Sequence, residues 1–162
     1  LNIVLEDMPA IALGLDPPEK DVMKRPPRDP GEPFLTRDIW SLILGLGSFT
    51  ALMSLSVFII HFAHLSLART ATFLTFAMFV IFNVFNFRSL YKSTFKTAFK
   101  PNKYLALALL GSLALTLISI YSPAGIHVFK FEPIGFKIWL FSALIALSIL
   151  PAGEILKKSI FS

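Results

Sequence analysis

The chain has 162 residues, 55% of them hydrophobic, a mean hydropathy of +0.71 and 15% charged residues, against about a quarter in a typical soluble domain. Fifteen Lys and Arg against ten Asp and Glu give a formal charge of +5, but the charges crowd into 16–38, 88–103 and the last positions, which describes a membrane protein with basic flanks and not a nucleic-acid binder. The absence of cysteine excludes disulfides, thiolate metal sites and a cysteine nucleophile.

Residues 1–12, LNIVLEDMPAIA, are apolar but too short to cross a bilayer, which takes about 20 residues. They read as the inner half of a transmembrane helix. The chain starts at Leu1 without a charged n-region or signal-peptide cleavage site, so it is expected to begin within something larger. On a helix, Asn2 and Glu6 are four apart and share a face, whereas Asp7 lies about 100° around from Glu6. Pro9 has no N–H, so the carbonyl of Leu5 loses its usual partner. An amide oxygen, a carboxylate and a freed carbonyl are hard donors, suited to Ca²⁺ or Mg²⁺. The other reading of 1–12 is a wet helix start, where carboxylates sit well beside an N-terminus.

The stretch 13–38 holds Pro17, Pro18, Pro26, Pro27, Pro30 and Pro33, a density that forbids a regular helix or central strand. It reads as an extended, polyproline-like cytoplasmic loop or as a disordered linker. Four spans follow, over 39–62, 68–88, 104–122 and 133–153, with Trp40 and Trp139 at span edges where indole rings favour the headgroup region. Lys and Arg concentrate in 13–38, in the connection 89–103 and in the tail 154–162, which predicts these as cytoplasmic. The fold class expected is therefore an all-α, multi-pass membrane protein: half of one transmembrane helix, a Pro-rich cytoplasmic loop, then four transmembrane helices. Asn83 and Asn86, three apart on one face of the second full span, either hydrogen-bond between helices or contact an ion. Gly45 and Gly47 allow close helix approach. His61, His64 and His127 are expected in solvated outer loops.

The segment LNIVLEDMPAIALGLDPPEKDVMKRPPRDPGEPFLT resembles the sixth transmembrane helix and following loop of P-type cation-transporting ATPases of the calcium-pump-like class. The family pattern there is roughly N-x-x-T-D-x-x-P-A followed by D-P-P-x-x-D-x-M-x-x-P-P-R-x-P. This chain carries Asn2, Pro9, Ala10, Asp16, Pro17, Pro18, Asp21, Met23, Pro26, Pro27, Arg28 and Pro30 in register. ARTATFLTFAMFVIFNVFNFRS (68–89) is similar to the eighth helix of such pumps, NKYLALALLGSLALTLISIYSP (102–123) to the ninth, and FEPIGFKIWLFSALIALSILPAGEILKK (131–158) to the tenth.

The resemblance implies that Asn2 and Glu6 fall on ion-ligand positions, with the Leu5 carbonyl beside them, Pro9 as the helix break, and Asp7, Asn83 and Asn86 as weaker candidates. Leu5 stands where calcium pumps have a Thr ligand, and Val80 where two-site pumps have an acidic ligand on the eighth helix. At most one such site is then expected, for Ca²⁺ or a similar cation, or else the ion is a proton. The family's D-K-T-G-T and T-G-D-G-x-N-D motifs and nucleotide-binding domain do not occur here, so no enzyme activity is expected of the chain on its own, and no cofactor. Mg-ATP belongs to the complete pump. The implied partners are the first to fifth helices and cytoplasmic domains of that pump and the lipid bilayer, with no nucleic acid. The implied location is the cell membrane, with a cytoplasmic C-terminus. The alternative is a stand-alone integral membrane module with a structural or regulatory role.

Overall fold

The computed structural model describes residues 2–18, 31, 33, 35–90, 92–97 and 101–161, with residues 2–4 and 96–97 described as backbone alone. Most of the Pro-rich stretch, 19–30, lies outside the described residues, and with it the expectations placed there. Every regular element described is a helix: α1 (Asn2–Gly14), α2 (Arg37–Ile60), α3 (Leu65–Phe87), α4 (Thr94–Thr97), α5 (Lys103–Tyr121), α6 (Pro123–Phe129), α7 (Phe136–Leu147) and α8 (Ile149–Phe161). Four stretches are long and apolar enough to cross a membrane: Arg37–Ile60, Leu65–Phe87, Lys103–Tyr121 and Phe136–Phe161. The chain is an all-α membrane protein.

Helix boundaries follow local chemistry. Thr36 caps α2, its hydroxyl accepting from the Ile39 N–H, and Asp38 sits in the first turn. Asn102 caps α5 by accepting from the Leu105 N–H at 3.0 Å. Ser122 ends α5 and opens α6, accepting from the Gly125 N–H ahead of Pro123 at the first helical turn. Only glycine fits at 125, because a Cβ there would run into the Ser119 carbonyl. Lys130 closes α6 in the left-handed region at φ 58°. The last membrane segment is two abutting helices. The break falls at Ser148, just ahead of Pro151, whose ring removes a backbone N–H.

Helix α3 is the axis of the bundle, packing against α1, α2, α5, α7 and α8. One apolar core gathers Leu42 and Leu46 of α2, Leu74, Met78 and Phe79 of α3, Ala146 of α7 and Ile149 of α8. A smaller one joins Ala12 of α1, Val84 of α3, and Leu105 and Ala108 of α5. The outer faces carry exposed Leu44, Leu52, Ile59, Leu107, Leu110, Leu144 and Ile155, as lipid-facing helices require. Buried hydroxyls mostly bond within their own helix: Thr75 donates to Ala71 O, Thr116 to Ser112 O and Ser119 to Leu115 O. Tyr121 and Trp139 tie α5 to the start of the last segment: the Trp139 indole donates to the Tyr121 hydroxyl, which donates to the Ile134 carbonyl, both at 2.8 Å.

Candidate ion site

The site is built on α1, which lies between α3 and α5. Leu5 faces α5 and is 2% exposed. The carbonyl that Pro9 deprives of its helical partner accepts instead from the Ser112 hydroxyl of α5, at 3.1 Å. That carbonyl, expected as a possible ion ligand, thus has a protein donor and lies on the α5 side. Ser112 was not singled out in the sequence, where it is one small residue within an apolar run.

Glu6 is one residue on and points elsewhere. It lines an open cleft of about 380 Å³ between α1, α2 and α3, together with Pro9, Thr50, Phe79, Val80 and Asn83. No hydrogen bond or ion pair is recorded for its carboxylate among the described residues, so it remains available to a ligand. Glu6 and Asp7 are both exposed, but only Glu6 lines this cleft. Backbone geometry accounts for the difference: a step of one residue turns about 100° around the helix. Asn2 lies on α1 one turn before Glu6, and its side chain is outside the described residues.

The two candidate asparagines of α3 part company. Asn83 lines the cleft, and its carbonyl oxygen accepts from the Asn86 amide at 3.1 Å. Asn86 is fully buried: its amide nitrogen also donates to the Ile149 carbonyl at 3.0 Å, and its oxygen accepts from the Thr94 hydroxyl at 3.1 Å. Gly153 of α8 packs on this amide so closely that a Cβ would overlap it. Asn86 therefore ties α3 to α4 and α8 and is spent on structure. No group of three or more His, Cys, Asp or Glu able to hold a metal forms among the described residues. A cation here would need further ligands. His61 belongs to the end of α2, with its ring Nδ1 3.0 Å from the Val57 carbonyl.

Two polar clusters brace the helix ends near this site. Arg88, just past α3, makes a two-pronged ion pair with Asp16, just past α1, through Nε at 3.0 Å and Nη2 at 2.8 Å. Asn102 joins them, donating to the Asp16 carboxylate at 2.8 Å and to the Ala12 carbonyl at 3.3 Å. Lys157 of α8 is buried and donates to the Ser89 carbonyl at 2.8 Å and the Thr94 hydroxyl at 3.0 Å, while Glu154 accepts from the Thr94 N–H. Sequence reasoning placed Arg88 and Lys157 among the basic flanks of spans. Nothing local marks them as buried partners, since their contacts lie 60 or more positions away.

The family model described as "Cation transporting ATPase, C-terminus" matches residues 1–159. The chain is 32% identical over 166 residues to a calcium-transporting ATPase of Bacillus subtilis, covering 98% of this chain and 18% of that protein. It is 32% identical over 161 residues to human calcium-transporting ATPase type 2C member 1, covering 98% and 18% respectively. It is 30% identical over 161 residues to calcium-transporting ATPase 1 of Saccharomyces cerevisiae, covering 97% and 17%. The chain thus spans about 18% of the length of the curated relatives it matches.

Proposed function

The chain belongs to the family of cation-transporting ATPase C-termini, and from that premise we propose that it is the C-terminal membrane part of an ATP-driven pump that moves Ca²⁺. Its work in that pump is twofold. Helices α2, α3, α5, α7 and α8 form the supporting bundle, and α1 contributes a portion of the ion site through Glu6 and Asn2, with Asn83 facing the same cleft. The Leu5 carbonyl serves packing, through Ser112. Asp7 and Asn86 stand outside the ligand set. Phosphorylation and nucleotide binding belong to the remainder of the pump, as do the other ion ligands. The pump is read as a cell-membrane protein in which the α1–α2 connection, the α3–α5 connection and the C-terminus face the cytoplasm, as their Lys and Arg favour.

The observation that carries this reading is Glu6 itself. An intramembrane carboxylate is costly unless it serves an ion or a partner. Glu6 opens onto a cleft beside Pro9, where a broken helix offers the kind of oxygen-lined opening that transporters use for cations. Val80, lining the same cleft, brings no second carboxylate from α3, which fits a single ion. The test is Glu6→Gln in the complete pump, read as Ca²⁺-dependent phosphorylation by ATP and Ca²⁺ uptake into vesicles. The half-activating Ca²⁺ concentration is expected to rise by on the order of tenfold or more, because ligand charge sets affinity. A Glu6→Gln pump with unchanged Ca²⁺ activation would remove α1 from the ion site.

A further inference from the structure

Helix α1 is held on both sides of its proline. On the outer side the Ser112 hydroxyl holds the Leu5 carbonyl. On the inner side, Asp16 is gripped by the fork of Arg88, and Asn102 bonds both Asp16 and the Ala12 carbonyl while capping α5. The Arg88 side chain is 2% exposed and that of Asp16 14%, so this is a buried, bidentate, hydrogen-bonded ion pair and not a surface contact. It joins the inner ends of three helices, α1, α3 and α5. Glu6 lies about ten residues away along α1, roughly 15 Å by helix rise.

Pro9 sits between Glu6 and this clamp. A proline weakens a helix against bending because one rung of its hydrogen-bond ladder is missing. With the inner end free, the turn of α1 after Pro9 would lose its ties to α3 and α5, leaving the Leu5–Ser112 bond and side-chain packing to hold the rotation of the helix. A rotation by one residue is enough to take Glu6 out of the cleft and bring Asp7 toward it. With both ends held, the rotation of α1 is fixed and Glu6 is the carboxylate presented.

We infer that the Asp16–Arg88–Asn102 clamp is a positioning device for ion binding: it fixes the rotation of α1 about Pro9 so that Glu6, and not Asp7, faces the cleft. Arg88 and Asp16 touch no ion. They act through the helix that carries Glu6, and their removal lowers ion affinity while leaving the number of competent sites intact. This inference rests on the reading of Glu6 as an ion ligand.

The experiment uses the complete pump with Arg88→Gln, Asp16→Asn and Arg88→Lys, beside Glu6→Gln. For each, the half-activating Ca²⁺ concentration and the maximal phosphoenzyme per purified protein are measured separately. Arg88→Gln and Asp16→Asn are expected to raise the half-activating concentration roughly 3- to 30-fold, the range in which residues coupled to a site from a distance act. Maximal phosphoenzyme is expected to stay near wild type. Arg88→Lys, which keeps the charge but loses the fork, should fall between. Asp16→Asn, nearly isosteric, carries the test if Arg88→Gln does not accumulate. If Glu6→Gln shifts Ca²⁺ activation and the clamp variants do not, the clamp is structural and this proposal is overturned alone. If Glu6→Gln has no effect, the ion-site reading itself fails. Failure of both Arg88→Gln and Asp16→Asn to reach the membrane would assign the clamp to folding and also overturn the proposal.

Discussion

Ser112 supplies the hydrogen bond that Pro9 takes away, and this substitution of donors can be tested as a pair. The Leu5 carbonyl has no helical N–H to accept, and Leu5 and Ser112 are 2% and 1% exposed. In Ser112→Ala the carbonyl is left buried and unpaired. In water-soluble proteins that costs about 1–3 kcal/mol. Within a bilayer, where the unfolded state also finds partners, hydrogen bonds between helices average about 0.6 and reach about 1.7 kcal/mol. The lower range applies on the proposed reading of α1 as a membrane-embedded half-helix packed on α5. At about 2–4 °C per kcal/mol for a cooperative unit of this chain's size, Ser112→Ala should lower the melting temperature of the membrane-domain transition of the solubilised pump by roughly 1–7 °C. Pro9→Ala restores the N–H of residue 9 to the Leu5 carbonyl. Ser112→Ala made in the Pro9→Ala background should then cost much less, and the cycle should show coupling of about the size of the single Ser112 effect. Equal losses in the two backgrounds would refute the exchange of donors.

Gly125→Ala places a Cβ against the Ser119 carbonyl and should cost about 1–3 kcal/mol, whereas Gly135→Ala meets nothing within 4 Å and should stay within about 1 kcal/mol, both read as melting of the pump. Gly153→Ala drives a methyl into the Asn86 amide and should separate α8 from α3; it is expected to lose about 1–3 kcal/mol, and Asn86→Ala made together with it should recover part of that loss by opening space. Asp7→Asn should change the half-activating Ca²⁺ concentration much less than Glu6→Gln, because its face of α1 does not line the cleft; equal sensitivity of the two would place the register of α1 wrongly.

The membrane spans were legible because their signal is one-dimensional. A run of uncharged residues between basic clusters needs no knowledge of neighbours, and α2, α3, α5 and the α7–α8 segment all lie on such runs. The division between Glu6 and Asp7 was legible for the same reason, since helical periodicity alone sets which residues share a face. The cap at Asn102 has a local signature too, an asparagine directly before an apolar run. What stayed hidden is everything decided by chain segments meeting in space. Arg88 reads as one more cation at a membrane edge, and its pairing with Asp16 across 72 positions leaves no trace in either neighbourhood. Asn86 and Asn83 share spacing and residue type; only the arrival of α8 and Thr94 assigns one to the frame and leaves the other at the cleft. The short helices α4 and α6 fall within connections where turn residues obscure a helical pattern.

The polar groups of the bundle divide by whether the protein has already answered them. In a bilayer an unanswered polar group is expensive, so most are matched locally: threonine and serine hydroxyls turn back to their own helix, Asn86 is fully engaged, and Ser112 meets the Leu5 carbonyl. Among the described residues the buried hydroxyls without a partner are those of Ser54 on α2, Thr72 on α3 and Ser142 on α7; Ser54 and Thr72 line one apolar pocket with Arg69 and Phe76. Phe76 also lines the cleft that holds Glu6, Thr50 and Asn83. Two of these three hydroxyls, with Glu6, therefore lie along the α2–α3 groove that leads toward α1, and the third, Ser142, is on α7. Lipid offers such hydroxyls no hydrogen-bond partner. On the proposed reading of Glu6 as an ion ligand, its carboxylate needs a cation with more oxygen ligands than α1 and α3 provide. The open cleft beside Glu6, between α1, α2 and α3, is the face where that reading has those ligands enter.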